Sequence, residues 1–234
     1  MGPEPQRDVA PPVAPPGAAI ARVAVAAGDR LAAIGGVVGP AAFVGAWVVG
    51  AAVTRRDYGP VHDAISRLAE VGADTRTLMT TGFLCFGVGV TLYAGALRRV
   101  LEGPAWMTAA ATGVATLAVA AAPLGHSPGV DSLHGVVAGF GYLTLAATPL
   151  LAARPLIRRG HRTLGRLGVV AGAVSGLALL ASVAGGVPTG LSQRVGLTVG
   201  DVWIGASALL IASSRLRQAG PIARGGATSC PPGW

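Results

Sequence analysis

Residues 167–187 read Leu-Gly-Val-Val-Ala-Gly-Ala-Val-Ser-Gly-Leu-Ala-Leu-Leu-Ala-Ser-Val-Ala-Gly-Gly-Val, twenty-one positions without an ionisable side chain. A helix of that length rises about 30 Å at 1.5 Å per residue, enough to cross the hydrocarbon core of a bilayer. Five more apolar runs accompany it, at 31–53, 78–97, 106–123, 132–153 and 195–213. The run at 106–123 is the shortest and ends at Pro123, and Pro40 removes a backbone donor inside the first. The expected fold is therefore all-α, an integral membrane bundle of six transmembrane helices over 29–214. Residues 1–28, with Pro3, Pro5, Pro11, Pro12, Pro15 and Pro16 among alanines, and residues 215–234 are expected to be flexible tails. No basic segment leads directly into a short apolar stretch with a cleavage site, so the first span is expected to stay attached.

Composition agrees: 52% of the 234 residues are hydrophobic, 12% are charged, and the mean hydropathy is +0.60. Most of the 36 glycines sit inside apolar runs, where small residues let helices approach closely. Gly168, Gly172 and Gly176 recur every four residues, as do Gly135 with Gly139 and Gly196 with Gly200. All three sets are expected to be helix contacts, with Gly172 more tightly packed than Gly36.

The eighteen basic residues are all Arg and the formal charge is +8. Because the arginines flank apolar runs, they argue for membrane topology and against a nucleic-acid partner. With the N-terminus inside, thirteen fall on the cytoplasmic side: Arg7, Arg22, Arg30, Arg98, Arg99, Arg154, Arg158, Arg159, Arg162, Arg166, Arg215, Arg217 and Arg224. Five remain outside: Arg55, Arg56, Arg67, Arg76 and Arg194. The expected location is the cell membrane, with both termini cytoplasmic. Cys85 and Cys230 are too differently placed to form a disulfide framework.

Polar chemistry collects at the outer end. The first external loop carries Val61, Ala64, Ile65, Leu68 and Val71 on one helical side, and His62, Asp63, Ser66, Arg67 and Glu70 on the other. Between Pro60 and Gly72 this reads as a short amphipathic helix on the membrane surface. The second loop adds His126, Asp131 and His134; the third adds Gln193 and Arg194, with Asp201 inside the last span. An unpaired carboxylate facing lipid is costly, so Asp201 is expected to face the bundle and to pair with His134 or Arg194.

Those residues also carry a resemblance. Asp57-Tyr58-Gly59-Pro60-Val61-His62-Asp63-Ala64-Ile65-Ser66-Arg67-Leu68, then Asp131-Ser132-Leu133-His134-Gly135, then Gly190-Leu191-Ser192-Gln193-Arg194 with Trp203, resemble in order three motifs of the membrane family called domain of unknown function 998. The resemblance covers roughly 31–213 and implies six membrane helices, with no established reaction. Gln193 stands where that family more often has an acid, which weakens any acid role there.

Three readings follow. The first is a non-catalytic protein that binds a lipid or partner at its outer face, through His62, Ser66, Asp131, His134, Arg194 and Asp201. The second is an exofacial enzyme acting on lipid or envelope precursors by metal or acid–base chemistry, with catalytic candidates His62, Asp63, Ser66, His134 and Asp201. Its metal candidates are His62, His126, Asp131 and His134, since imidazole and carboxylate suit zinc and related ions. A Ser66, His134 and Asp201 triad has the required residue types. Gly125-His126-Ser127-Pro128-Gly129 matches a nucleophile elbow only in letters, because Pro128 has no N–H to offer an oxyanion. The third reading is a proton-coupled transporter using Asp201 and His134. No cofactor is specified. The plainest alternative is a polar lid that ties the outer loops to the bundle.

Overall fold

The computed structural model describes residues 16–213 and Leu216, with side chains from residue 27 onward. The outer parts of both expected tails, 1–15 and 217–234, lie outside the described residues, as does Cys230. Six helices form: α1 Pro16–Val53, α2 Arg76–Val100, α3 Ala105–Ala121, α4 Pro128–Arg158, α5 Arg162–Ala184 and α6 Thr189–Ala212. Helix α1 begins inside the segment expected to be a tail. Its first residue is Pro16, which a helix tolerates in its first turn, and the Ala-rich stretch that follows has high helix propensity.

Five of these helices are long and apolar enough to cross a membrane. The remaining one, α3, has 17 residues and a length of about 25 Å. Large apolar side chains point outward around the bundle, among them Leu31, Val136, Leu177 and Val202, each at least 65% exposed. A water-soluble fold does not leave such a belt bare.

The helices pack in chain order as a closed ring, α1 against α2 and onward to α6, which returns to α1 and also leans against α2 and α4. Backbone touches backbone where glycines oppose. A Cβ on Gly35 would lie 2.5 Å from the Gly89 carbonyl oxygen, and one on Gly89 would lie 2.4 Å from that of Gly35. Buried hydroxyls add cross-links: Tyr93 with Ser207 (2.7 Å), Thr112 to Thr144 (2.9 Å) and Thr148 to Thr108 (2.9 Å).

Helices α4 and α5 meet in two different ways along their length. In the half near the 159–161 turn, a Cβ on Gly165, Gly168 or Gly172 would come within 2.8 Å of the Ala153, Pro149 or Ala146 carbonyl respectively. In the other half, a Cβ on Gly135, Gly139 or Gly176 would meet nothing within 4 Å. The expected contact role holds for Gly168 and Gly172 but not for these three, which have no neighbour where a side chain would stand. Gly172 is, as expected, more crowded than Gly36: a Cβ on Gly172 would lie 2.3 Å from the Leu150 side chain and 2.7 Å from the Ala146 carbonyl oxygen, whereas one on Gly36 would lie 2.7 Å from the Tyr93 ring and 2.9 Å from Ala208.

At the end opposite the first loop, Arg99 pairs with buried Asp29, while Arg159 donates to the Val100 carbonyl and pairs with Glu102 (3.5 Å). The Arg98 guanidinium lies 4.7 Å over the Trp106 ring. Several arginines of this end are thus structural ties as well as flanking charges.

Candidate functional site

The loops after α1, α3 and α5 converge at one end of the ring. The first is not the expected surface helix. It makes a turn at 60–62 and a short 3-10 helix, Ile65–Ala69, whose Ile65, Leu68 and Ala69 are buried. Pro60 and Gly72 bracket too few residues for a stable independent helix, so packing of these apolar side chains into the mouth decides the local conformation. The loop is a lid on the bundle.

Helix α6 clamps that lid through the 190–194 segment. The Leu191 N–H donates to the Val61 carbonyl (2.8 Å), the Gly190 N–H to that of His62 (3.3 Å), and the Ile65 N–H to Gln193 Oε1 (3.1 Å). A Cβ on Gly190 would lie 2.5 Å from both the Pro60 and Asp63 carbonyl oxygens, so glycine is what lets the strips meet. Arg194 donates to the Asp63 carbonyl (3.1 Å), the Gly190 carbonyl (3.0 Å) and the Tyr58 hydroxyl. Its guanidinium also lies over the Trp47 and Tyr58 rings, at 5.2 and 5.7 Å.

Within the lid, Asp63 accepts from the Gly59 N–H (2.7 Å) and pairs with Arg67. The Gly59 N–H, with Arg67 beside it, holds the Asp63 carboxyl below its ordinary 3.8. Asp74 is likewise lowered, by the Arg55 N–H and the Thr54 hydroxyl that it accepts. Burial pushes the Tyr58 phenol up, against the pull of Arg194. The second loop joins through the Val71 N–H, which donates to the Leu124 carbonyl (2.9 Å). Asp131 accepts from the Gly125 N–H (2.9 Å), closing the turn that starts α4.

Beneath the lid lies a cavity of about 300 Å³ to which every helix contributes. Phe43, Phe83, Phe86, Val119, Leu145 and Leu197 form most of its wall, and Ser66, Thr112, Thr116, His134, Ser182 and Gln193 supply the polar points. Gly135 and Gly139, which border open space, line it as well. Val183, in the last turn of α5, and Gly135, in α4, both line it and are exposed, so the cavity is open at the surface beside them.

His134, 5% exposed, sits on this wall. Its Nδ1 lies 2.7 Å from the Ala122 carbonyl, which can only accept, so Nδ1 carries the hydrogen. Its Nε2 is buried without a partner. Asp201 is buried as well, yet both of its oxygens lack partners, and neither His134 nor Arg194 reaches them. The expected pairing is not formed, because Arg194 turns outward to the lid and His134 is held by Ala122. For the same reason Ser66, His134 and Asp201 do not assemble as a triad. His62 and His126 are exposed on separate loops. Among the described residues no three His, Cys, Asp or Glu side chains converge, so the metal candidates His62, His126, Asp131 and His134 are not brought together.

Of the candidates, Ser66 and His134 share the cavity, while Asp63, Asp131 and Arg194 build and fasten the lid. Sequence reasoning missed Gly135 and Gly139 as walls, Tyr58 and Trp47 as partners of Arg194, and the acceptor role of Gln193. Only the three motifs carried a signal for these, since Tyr58, Gly135 and Gln193 all fall within them.

A ring of apolar helices bearing an exposed hydrophobic belt defines a multipass integral membrane protein. The family model described as Protein of unknown function (DUF998) matches residues 37–210, and the chain belongs to that family. No curated protein and no solved structure matches it.

Proposed function

We propose that this protein is a membrane-embedded binder of a lipid-like ligand, held in the cavity under the lid. The supporting observation is the open space beside Gly135 and Gly139 of α4, which with Leu179 and Val183 of α5 line an apolar cavity; on this reading the cavity opens between the two helices toward the bilayer. At about 300 Å³ it is at the small end of ligand pockets, with the apolar wall and few polar points such sites share. The arginine asymmetry supports placing the lid outside a cell membrane and both termini in the cytoplasm. The enzymatic and transport readings draw no comparable support, since the triad and metal candidates lie apart.

Mild-detergent purification followed by native mass spectrometry tests the binder. Wild type should retain a lipid-sized mass that Gly139→Leu, which fills the open wall, loses while staying folded. Equal retention by the two would sink the reading. For orientation, a periplasmic reporter that is active when fused at Arg159 would reverse the map.

A further inference from the structure

We infer that the ligand is an uncharged, single-chain lipid alcohol, whose hydroxyl donates to His134 Nε2 while its chain lies against the phenylalanine wall and leaves between α4 and α5. This rests on the lipid-binding reading and adds the chemistry of the ligand.

Two polar groups of the lining, Ser66 Oγ and the Gln193 amide nitrogen, have no partner among the described residues but belong to partly exposed side chains at the lid; most of the other polar side chains are already bonded. Thr112 donates to Thr144 (2.9 Å), Thr116 to the Thr112 carbonyl (2.9 Å) and Ser182 to the Ala178 carbonyl (2.8 Å). The Tyr142 hydroxyl donates to the Ser192 carbonyl (3.2 Å), and Gln193 Oε1 is occupied by the lid. Among the described residues, five others besides His134 Nε2 are buried polar atoms without a partner, and they belong to Trp47, His161, Arg194 and Asp201. None of those four residues lines the cavity. His134 Nε2 is thus the buried, unsatisfied atom facing the ligand space, and such an atom costs free energy until it is paired.

Its polarity follows from the other nitrogen. Because Nδ1 donates to the Ala122 carbonyl, Nε2 of the neutral ring presents a lone pair and asks for a donor. A cationic ring would be a buried charge, and no Asp or Glu lines the cavity to pair with it. The lining also contains no Arg. Three arginines near the lid are engaged elsewhere, Arg56 with Glu70, Arg67 with Asp63 and Glu70, and Arg194 with Tyr58 and two carbonyls, while Arg55 is exposed and outside the lining. A phosphate or carboxylate would be buried here without a counter-charge, whereas a hydroxyl supplies one donor to one acceptor. The volume, at the small end of ligand pockets, favours a single chain.

The test uses the full chain in phosphatidylcholine nanodiscs and a long-chain fatty alcohol carrying a diazirine and an alkyne. Saturable photolabelling should map to peptides containing 135–142 and 179–183. Unlabelled alcohol should compete about ten-fold better than its methyl ether, which lacks the donor, or the matching ionised fatty acid, the difference one hydrogen bond makes. In His134→Phe the alcohol and the ether should become equal, and His134→Gln, which keeps an acceptor, should restore part of the gap. If the ether or the acid competes as well as the alcohol in wild type, while Gly139→Leu abolishes labelling, the cavity takes lipids but the hydroxyl assignment is wrong. If labelling is absent, or survives Gly139→Leu, the lipid site itself fails and this inference falls with it. Because the competition series is run on wild type, it decides the matter even if His134→Phe does not fold.

Discussion

Gln193 fastens the lid without a charge. Its amide oxygen accepts the Ile65 N–H, a bond that needs only an acceptor. Gly190 is the stricter position, because any Cβ there runs into two backbone carbonyls of the lid. Gly190→Ala should loosen the lid by about 1–3 kcal/mol, the usual scale of overpacking. Hydrogen exchange at the Val61, Ile65 and Leu191 amides should then accelerate roughly ten-fold or more; unchanged protection would mean that the strips are not held together. Asp63 sets the pH side of the same contact. Its folded pKa is lowered, so its contribution is complete above about pH 4 and is lost as pH falls through the folded value. Exchange corrected for intrinsic rates should therefore rise in the lid under acid, and Asp63→Asn should show that loosening at neutral pH.

Among the elements, glycine spacing was legible only in part. A four-residue repeat identifies a helix face, but what stands opposite depends on the crossing of two helices. Gly168 and Gly172 meet the Pro149 and Ala146 carbonyls, while Gly135 and Gly139, with the same spacing, border open space. The lid shows a similar limit. Val61, Ile65 and Leu68 obey a helical period, yet the segment is too short to fold alone, and its burial in the mouth yields a 3-10 turn. In detergent, Gly172→Leu should lower the melting temperature markedly, at a cost of ~1–3 kcal/mol or more because the obstacle is backbone, and Gly36→Leu should do so too. Gly139→Leu should melt close to wild type. If Gly139→Leu is as damaging as Gly172→Leu, the lid-side halves of α4 and α5 are packed and no opening exists.

For the whole molecule, hydropathy revealed six helices and their order because a bilayer demands long apolar runs of any spanning helix. The cavity was not legible. It exists where six helices fail to meet, and no single run records that failure. His134 could be seen as polar chemistry near the start of α4, but its free Nε2 depends on the Ala122 carbonyl, twelve residues away. Asp201 was legible as buried and misleading as a partner: its two oxygens are unpaired in the bundle, one helical turn beyond Leu197 on the cavity wall. On the proposed reading, α4 and α5 part to open an apolar space toward the bilayer. A nitroxide at Gly139→Cys, in a Cys85→Ser, Cys230→Ser background reconstituted into vesicles, reports on that space. The probe should be mobile and collide often with oxygen, which partitions into hydrocarbon, and seldom with a water-soluble nickel chelate; an immobilised probe reached by neither would mean that the two helices are packed there and the space does not exist.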